Sequence, residues 1–306
     1  MAARDAMVDS PTRKVLERSA IAALLGAMTI WGSTYVVTKV ALADFGPFSV
    51  LWTRLVIATL ALAPFAWRRG FRARMWLQRN FLLFGFTGMA LHLGLEIAGL
   101  RFTSASSAAL IIATAPTVTV AFSVVFLKER ISWLQAWAIV LSVVGVVLVA
   151  GARVSDGHPL AWFGNLLVFA GVVAWGVFTV QGRQIGREHS WLISTTAATG
   201  AATLLVLPVM LGEIAVQGIP PVTAPSLVAV ASLGLLASAL AYGWWNFALE
   251  HVGGTVAGPY ISLVPAIGVS LAVAVGETMT RMQLLGGAIV AAGVWLNHRG
   301  RAAKRL

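Results

Sequence analysis

Apolar positions along this chain occur in long, nearly continuous runs that are separated by short polar segments. A helix of about 20 residues, rising ~1.5 Å per residue, crosses the ~30 Å hydrocarbon core of a bilayer. The pattern therefore predicts an all-α polytopic membrane protein with ten transmembrane helices. The predicted spans are 20–42, 48–67, 80–100, 107–127, 133–151, 161–180, 191–211, 225–249, 254–276 and 282–298.

Composition supports this class and excludes others. Hydrophobic residues make up 58% of the 306 residues and charged residues only 11%, whereas soluble domains carry roughly 25% charged residues. The chain has no cysteine, which rules out disulfides, thiol nucleophiles and cysteine-ligated metals. It also lacks a G-x-x-x-x-G-K-[ST] loop, so we do not expect ATP to drive it.

Positive charge is distributed unevenly between the two predicted sides of the membrane. The net charge is +11, with 22 lysines and arginines. If the N-terminus is cytoplasmic, most of these cations fall at the two termini and after the second, fourth and sixth spans, while Arg101, Arg153 and Arg281 fall outside. Cytoplasmic loops are enriched in lysine and arginine, so both termini are predicted to be cytoplasmic. The basic segments are expected to meet anionic lipid rather than nucleic acid.

The second half of the chain repeats features of the first. Matched pairs spaced 144 to 149 residues apart are Trp31 with Trp175, Lys39 with Arg183, Pro64 with Pro208, Pro116 with Pro265, Gln135 with Gln283, and Gly145 with Gly293. Because each half holds five spans, the second would enter the membrane from the opposite side. Inverted repeats of this kind are typical of secondary transporters that work by alternating access; a duplication that only enlarges a structural bundle is the alternative.

The repeat predicts a division of the chain into five segments. These are a cytoplasmic N-terminal segment (1–19), a first five-helix repeat (20–151), a periplasmic linker (152–160), a second five-helix repeat (161–298) and a basic cytoplasmic tail (299–306).

Several short motifs occur in the same order in both halves. The first half has WGS at 31–33, Arg54, TSASSAALI at 103–111, Pro116 and LKER at 127–130; the second has WG at 175–176, HVGGTVAG at 251–258, Pro265 and GE at 276–277. In these residues the chain resembles the drug/metabolite transporter superfamily, and specifically its ten-helix EamA-type bacterial exporters. The resemblance implies export of small metabolites, in many members amino acids and in YddG-type members aromatic ones. Arg54 falls opposite Ala198 and Glu96 opposite Trp245, which leaves the substrate open.

Four ionisable residues fall inside predicted spans near the outer side: Lys39, Arg54, His92 and Glu96. Such residues are costly in a membrane and are functional candidates by default. In the functional interpretation, Arg54 and Lys39 attract a substrate carboxylate, and Glu96 receives an ammonium group or a coupling proton. In the structural interpretation, Arg54 pairs with Glu96 and Lys39 extends to the interface.

Aromatic and polar residues are the second set of candidates. Trp31, Tyr35 and Lys39 recur every four residues and share one face of a helix. We interpret that face as a wall of a central polar cavity opposite Glu96 and Trp175, although ordinary packing would explain about half of the interior aromatics. The remaining candidates for substrate binding are Phe178, Tyr242, Trp245, Asn246, Tyr260 and Thr114.

Pro116 and Pro265 fall near the middle of the fourth and ninth spans. A proline inside a helix frees the carbonyl four residues earlier, here those of Ile112 and Ile261. Free carbonyls are tolerated at this depth where they line a cavity, and a simple kink for packing is the alternative. Glycine and alanine in spans five and ten indicate close packing, either on each other or in a homodimer.

Together these features predict a secondary exporter of small metabolites, most of all amino acids, in the bacterial cytoplasmic (inner) membrane. Its expected partners are a small-molecule substrate and the lipid bilayer, with no nucleic acid, cofactor or metal. An uptake carrier for sugars or nucleotide derivatives is the alternative, though it should need more cations than Arg54 and Lys39. An intramembrane enzyme is disfavoured, because no serine is placed beside His92 as a nucleophile.

Overall fold

The computed structural model describes residues 11–127, 132–151, 158–219 and 221–302. Most of the predicted linker, the LKER motif beyond Leu127 and the last residues of the basic tail lie outside these ranges, as do the first ten residues. All regular secondary structure in the described chain is helical. This confirms the predicted all-α class.

The first half contains five helical elements, α1 to α5, and a short 3₁₀ turn at Ala73–Leu77. Helices α3 and α4 are each built from more than one segment. Their bounds are α1 Pro11–Ala41, α2 Pro47–Trp67, α3 Arg79–Gly85 with Phe86–Leu91 and His92–Leu100, α4 Ala105–Ile112 with Ala115–Leu127, and α5 Trp133–Gly151.

The second half contains α6 to α10 in the same arrangement. Here α8 and α9 are the composite helices, at the positions that correspond to α3 and α4. The bounds are α6 Ala161–Glu188, α7 Trp191–Gln217, α8 Ala224–Ser232 with Leu233–Leu240 and Ala241–Ala257, α9 Gly258–Ser262 with Leu263–Ala274, and α10 Arg281–Ala302.

Eight helices in the described residues are long and apolar enough to cross a membrane. They correspond to the first eight predicted spans, α1 to α8. Among the described residues, the ninth predicted span appears as a shorter apolar helix, Tyr260–Ala274, and the chain before Leu263 forms a 3₁₀ turn. Helix α1 begins at Pro11, nine residues earlier than the apolar run suggested, since polar residues extend the helix beyond the hydrocarbon.

Irregular turns mark equivalent places in the two halves. Helix α3 widens into a π-helical segment at Phe86–Leu91, and α8 does so at Leu233–Leu240. Helix α4 is interrupted at residues 113–114, just before Pro116, and the 3₁₀ turn of α9 ends just before Pro265. A π-helical segment is rare and is frequently found at functional sites. The matched positions show that the repeat extends to backbone geometry.

The two halves are interleaved rather than side by side. Helix α1 packs against α8 and α9, α2 against α7, and α3 against α6, so most helix pairs in the core join one half to the other. The last helices of each half, α5 and α10, lie along each other. A Cβ on Gly145 would come 2.8 Å from the Gly286 carbonyl oxygen. The small residues of spans five and ten thus serve contact within one chain.

Candidate functional site

A cavity lies at the centre of the interleaved helices, where about 670 Å³ of space, including space open to solvent, is free of protein atoms. Helices α1, α2, α3, α4, α6, α8 and α9 all contribute to it. Its lining residues are Trp31, Thr34, Tyr35, Arg54, His92, Leu93, Glu96, Ile112, Ala115, Val172, Trp175, Tyr242, Ile261 and Val264. The cavity is mainly apolar and aromatic, with one guanidinium, one carboxylate and one imidazole.

Arg54 on α2 is only 3% exposed and is held by the π-helical segment of α8. Its Nε donates a hydrogen bond to Ser238 Oγ at 3.0 Å. Within the described chain, its terminal amino groups have no hydrogen-bond partner, although Arg54 lines the cavity. An arginine in this state has its planar donor pair available for a carboxylate.

His92 and Glu96 lie one turn apart on α3, facing α6. His92 Nδ1 is 2.9 Å from the carbonyl oxygen of Gly171. Because a carbonyl oxygen can only accept, Nδ1 carries the proton, and Nε2 of the neutral ring is an acceptor. This Nε2 lies 3.7 Å from Glu96 Oε2. Two hydrogen-bond acceptors therefore face each other. A proton or an ammonium group between them would satisfy both.

Arg54 and Glu96 are close enough to interact electrostatically but do not form an ion pair within the described structure. Both are nearly buried, with Glu96 7% exposed. The direct Arg54–Glu96 pairing of the structural interpretation is thus absent from this conformation. The cavity instead contains a cation and a carboxylate that are separately available.

Aromatic rings surround these charges. Trp31 on α1 donates from Nε1 to the Ala237 carbonyl oxygen at 3.1 Å, and its ring meets the edge of Tyr242 with centroids 5.0 Å apart. On the other side, the Trp175 ring lies 5.1 Å from the His92 ring. The π-helical segment of α8 thereby positions both Trp31, through Ala237, and Arg54, through Ser238. Its wide turn is the local feature that organises this wall.

The structure brings seven predicted residues together in the cavity: Trp31, Tyr35, Arg54, His92, Glu96, Trp175 and Tyr242. Lys39 is not part of the lining. It lies two residues before the end of α1, one turn beyond Tyr35, where the stripe leaves the cavity. The predicted cluster of three charges is therefore reduced to Arg54 and Glu96.

The other predicted residues serve contacts outside the lining. The hydroxyl of Thr114 donates to the Ile111 carbonyl in the interrupted turn of α4. Asn246 Nδ2 donates to Thr195 Oγ1 on α7 at 3.1 Å. The rings of Phe178, Trp245 and Tyr260 pack against other aromatic or apolar side chains: Phe178 stacks on Phe84 at 4.3 Å, Trp245 lies 5.8 Å from Trp31, and Tyr260 packs on the apolar core.

Sequence reasoning missed the apolar floor of the cavity. Ile112 and Ala115 of α4 and Ile261 and Val264 of α9 line it, and each pair flanks an interruption before a proline. Ile112 and Ile261 are the residues whose carbonyls the prolines free, so the sequence held a signal for this floor. Ser238 and Gly171, the partners of Arg54 and His92, carried no such signal because they act only through tertiary contact.

Comparison with known proteins agrees with this architecture. The sequence model of the EamA-like transporter family matches the chain twice, over residues 18–151 and 162–299. A probable terminal-alkyne amino-acid exporter of Streptantibioticus cattleyicolor is 29% identical over 288 residues, 94% of this chain and 95% of that protein. YedA of Escherichia coli K12, named as an uncharacterized inner membrane transporter, is 24% identical over 286 residues, 91% of this chain and 90% of that protein.

A crystal structure with 19% sequence identity aligns with a TM-score of 0.61, covering 94% of this chain and 99% of that one. At this identity the likeness shows the fold alone. The two matches to one family model confirm the two-repeat fold and the family resemblance that the motifs indicated. The chain belongs to the EamA-like transporter family and is a multi-pass transporter, not an enzyme, of the bacterial inner membrane.

Proposed function

We propose that this protein is a secondary transporter that exports zwitterionic amino acids from the cytoplasm to the periplasm by alternating access. Ten spans, arranged as two inverted five-helix repeats with both termini in the cytoplasm, form the transport unit. The observation that carries the proposal is the presence of a free cation and a free carboxylate, Arg54 and Glu96, in one cavity walled by aromatic rings.

Arg54 binds the α-carboxylate of the substrate. Its Nε is fixed by Ser238, so the guanidinium is already oriented before the substrate binds. Binding therefore costs little further side-chain entropy. A guanidinium donates two parallel hydrogen bonds to a carboxylate, which discriminates against substrates that lack this group.

Glu96 and His92 bind the α-ammonium group. An ammonium group carries three donors, which suits the two facing acceptors, Glu96 Oε2 and His92 Nε2. In the empty carrier a proton occupies the same place. The exchange of one for the other would couple substrate export to proton entry, since either cation satisfies the pair.

The aromatic walls bind the substrate side chain. Trp31, Tyr35, Trp175 and Tyr242 present apolar surface and π faces to the cavity, which favours apolar or planar side chains. The substrate class also agrees with the relative in Streptantibioticus cattleyicolor that is named as an amino-acid exporter.

Flux measurements on the purified protein in liposomes test this proposal. Saturable flux of labelled neutral amino acids, inhibited by the intact amino acid but not by its amide or its N-acetyl derivative, is the expected result. Arg54→Gln should abolish the flux, while Lys39→Gln, which removes a cation outside the lining, should retain most of it. Flux of sugars in place of amino acids, from folded protein, would overturn the substrate assignment.

A further inference from the structure

Three carboxylates lie at one end of the molecule, where α1 ends and α2 begins. The proposed topology makes this the outer end, and the following inference rests on that topology. Each carboxylate accepts hydrogen bonds from the first turn of a helix in the opposite half. The carboxylates are Asp44, Glu213 and Glu277, and we call them the outer caps.

Glu213, near the end of α7, caps α2. It accepts hydrogen bonds from the backbone N–H groups of Phe48 and Ser49 at 3.1 and 2.8 Å, and from the Ser49 hydroxyl at 2.8 Å. Glu277, which follows α9, caps α4 in the same way through Ala105 N, Ser106 N and the Ser106 hydroxyl, at 2.9, 3.0 and 2.8 Å. In both cases a carboxylate of the second half closes on a helix of the first.

Asp44 makes the reciprocal connection, from the first half to the second. It accepts hydrogen bonds from the N–H of Thr223 at 3.0 Å, from the Thr223 hydroxyl, and from the Ser226 hydroxyl at 2.5 Å. Thr223 precedes the first residue of α8. Carboxylates stabilise helix N-termini because they satisfy free N–H groups and oppose the helix dipole. The three contacts together fasten the outer end.

The sequence repeat assigns Asp44 a counterpart. With the 144-residue spacing that relates Trp31 to Trp175, Asp44 corresponds to Glu188, the last residue of α6. The start of α8 corresponds to the start of α3, at Arg79. In an inverted repeat, the contact of Asp44 with α8 at the outer end therefore predicts a contact of Glu188 with α3 at the inner end. The counterpart of Glu277 is Glu129, which lies outside the described residues.

The predicted contact between Glu188 and the first turn of α3 is not made in this structure. Glu188 is exposed and lines a pocket between the end of α6 and the start of α3, together with Gln78, Arg79, Asn80, Phe81, Ile185 and His189. Beside this pocket the two helix ends already touch, with the rings of Phe81 and His189 5.2 Å apart. The N-terminus of α3 has no side-chain cap. Within the described chain, Glu188 accepts no hydrogen bond from this turn. The two equivalent positions are thus in opposite states: Asp44 caps α8 at the outer end, whereas Glu188 does not cap α3 at the inner end.

We propose that Asp44 and Glu188 form reciprocal gates that are engaged in turn. In the conformation described, Asp44 caps α8 and holds the outer end closed. In the opposite conformation, Asp44 releases α8, the gap between Glu188 and the first turn of α3 closes, and Glu188 accepts hydrogen bonds from the free N–H groups of that turn. One carboxylate cap is exchanged for an equivalent one, which keeps the two conformations close in free energy.

Cysteine labelling tests this proposal without reference to any substrate. The chain contains no cysteine, so Thr34→Cys in the cavity lining provides a single reporter for a membrane-impermeant maleimide applied from outside. Asp44→Ala should increase outside labelling by about fivefold, the population shift that corresponds to the loss of one cap. Glu188→Gln should decrease it by a similar factor, because the outward-open conformation loses its own cap.

The critical result is that the two variants change outside labelling in opposite directions, because a general loss of stability would change it in the same direction in both. Asp44→Glu should restore the parent labelling, and Arg101→Gln, which removes an exposed charge near the outer end, should leave it unchanged. If Asp44→Ala does not fold, Ser226→Ala removes one donor of the same contact. Unchanged labelling, or a change in the same direction in both variants, would contradict the proposal that Asp44 and Glu188 form reciprocal gates. Failure of amino-acid flux alone would overturn only the substrate assignment.

Discussion

His92 and Glu96 face each other through two acceptor atoms, Nε2 and Oε2, which are 3.7 Å apart. The hydrogen bond between His92 Nδ1 and the Gly171 carbonyl fixes this relationship, because it places the ring proton on the side away from Glu96. The pair is therefore complete only when a third group supplies a donor. In the proposed cycle, a substrate ammonium group and a proton alternate in that role.

Replacement of Glu96 by glutamine should remove the response of flux to a pH gradient. The amide of glutamine donates to His92 Nε2 permanently, so no proton is needed to complete the pair. We expect residual exchange of labelled amino acid at equal internal and external pH, with no stimulation by an inward proton gradient. Stimulation equal to that of the parent protein would remove Glu96 from the coupling role.

Ser238→Ala should weaken substrate binding without abolishing it. The variant removes the 3.0 Å hydrogen bond that positions Arg54 but leaves the guanidinium in the cavity. A hydrogen bond that involves a charged group contributes ~1.5–3 kcal/mol, which corresponds to an increase of roughly 10- to 150-fold in KM for zwitterionic substrates if all of it is lost. Ser232→Ala, one helical segment earlier on α8, is the control, since its hydroxyl donates only to the Ala229 carbonyl of its own helix. Equal effects of the two changes would contradict a positioning role for Ser238.

Trp175→Leu should lower the preference for aromatic over aliphatic amino acids. The indole lines the cavity beside His92, and an aromatic pair contributes ~0.5–1.5 kcal/mol beyond its buried area. We expect the ratio of kcat/KM values for aromatic and aliphatic substrates to fall by about 2- to 10-fold. Trp162→Leu on the same helix, where the side chain is 58% exposed, should leave this ratio unchanged.

The outer gate should not respond to pH in the physiological range. Hydrogen bonds from the hydroxyls of Ser226 and Thr223 hold the pKa of Asp44 below its usual value. Because the pKa is lower in the capped state, ionised Asp44 favours closure; this contribution is complete above the usual carboxyl pKa and is lost only as the pH falls through the lowered one. The labelling ratio between Asp44→Asn and the parent, both with Thr34→Cys, should therefore be constant from about pH 5 to pH 8. A ratio that changes within this range would show that another ionisable group controls the gate.

Gly145→Val should destabilise the contact between α5 and α10. A Cβ at this position would lie 2.5 Å from Val290 Cγ2 and 2.8 Å from the Gly286 carbonyl oxygen, so the helices must separate. Overpacking of this kind costs ~1–3 kcal/mol, and we expect a lower melting temperature in detergent. Gly212→Val is the matched control, because no atom lies within 4 Å of the added Cβ. Equal melting temperatures for the two variants would show that this contact is not close in the folded protein.

The sequence by itself determined the membrane class, the duplication and most of the cavity's chemistry. An apolar run favours transfer of its own segment into lipid, whatever the rest of the chain does. The first eight spans could therefore be predicted from the sequence alone. The repeat was visible because equivalent positions, such as Trp31 and Trp175, kept their residue type. Arg54 and Glu96 stood out because a charge inside an apolar run is expensive wherever the helix packs.

Tertiary structure decided which of these residues meet. Lys39 shares a helical stripe with Trp31 and Tyr35 but leaves the cavity lining, since a face of a helix extends beyond the site that it lines. The π-helical segments have no local sequence signature, yet that of α8 positions Arg54 through Ser238 and Trp31 through Ala237. The caps at Asp44, Glu213 and Glu277 join residues from opposite halves of the chain, and only the packing of one half against the other brings such partners within hydrogen-bond distance.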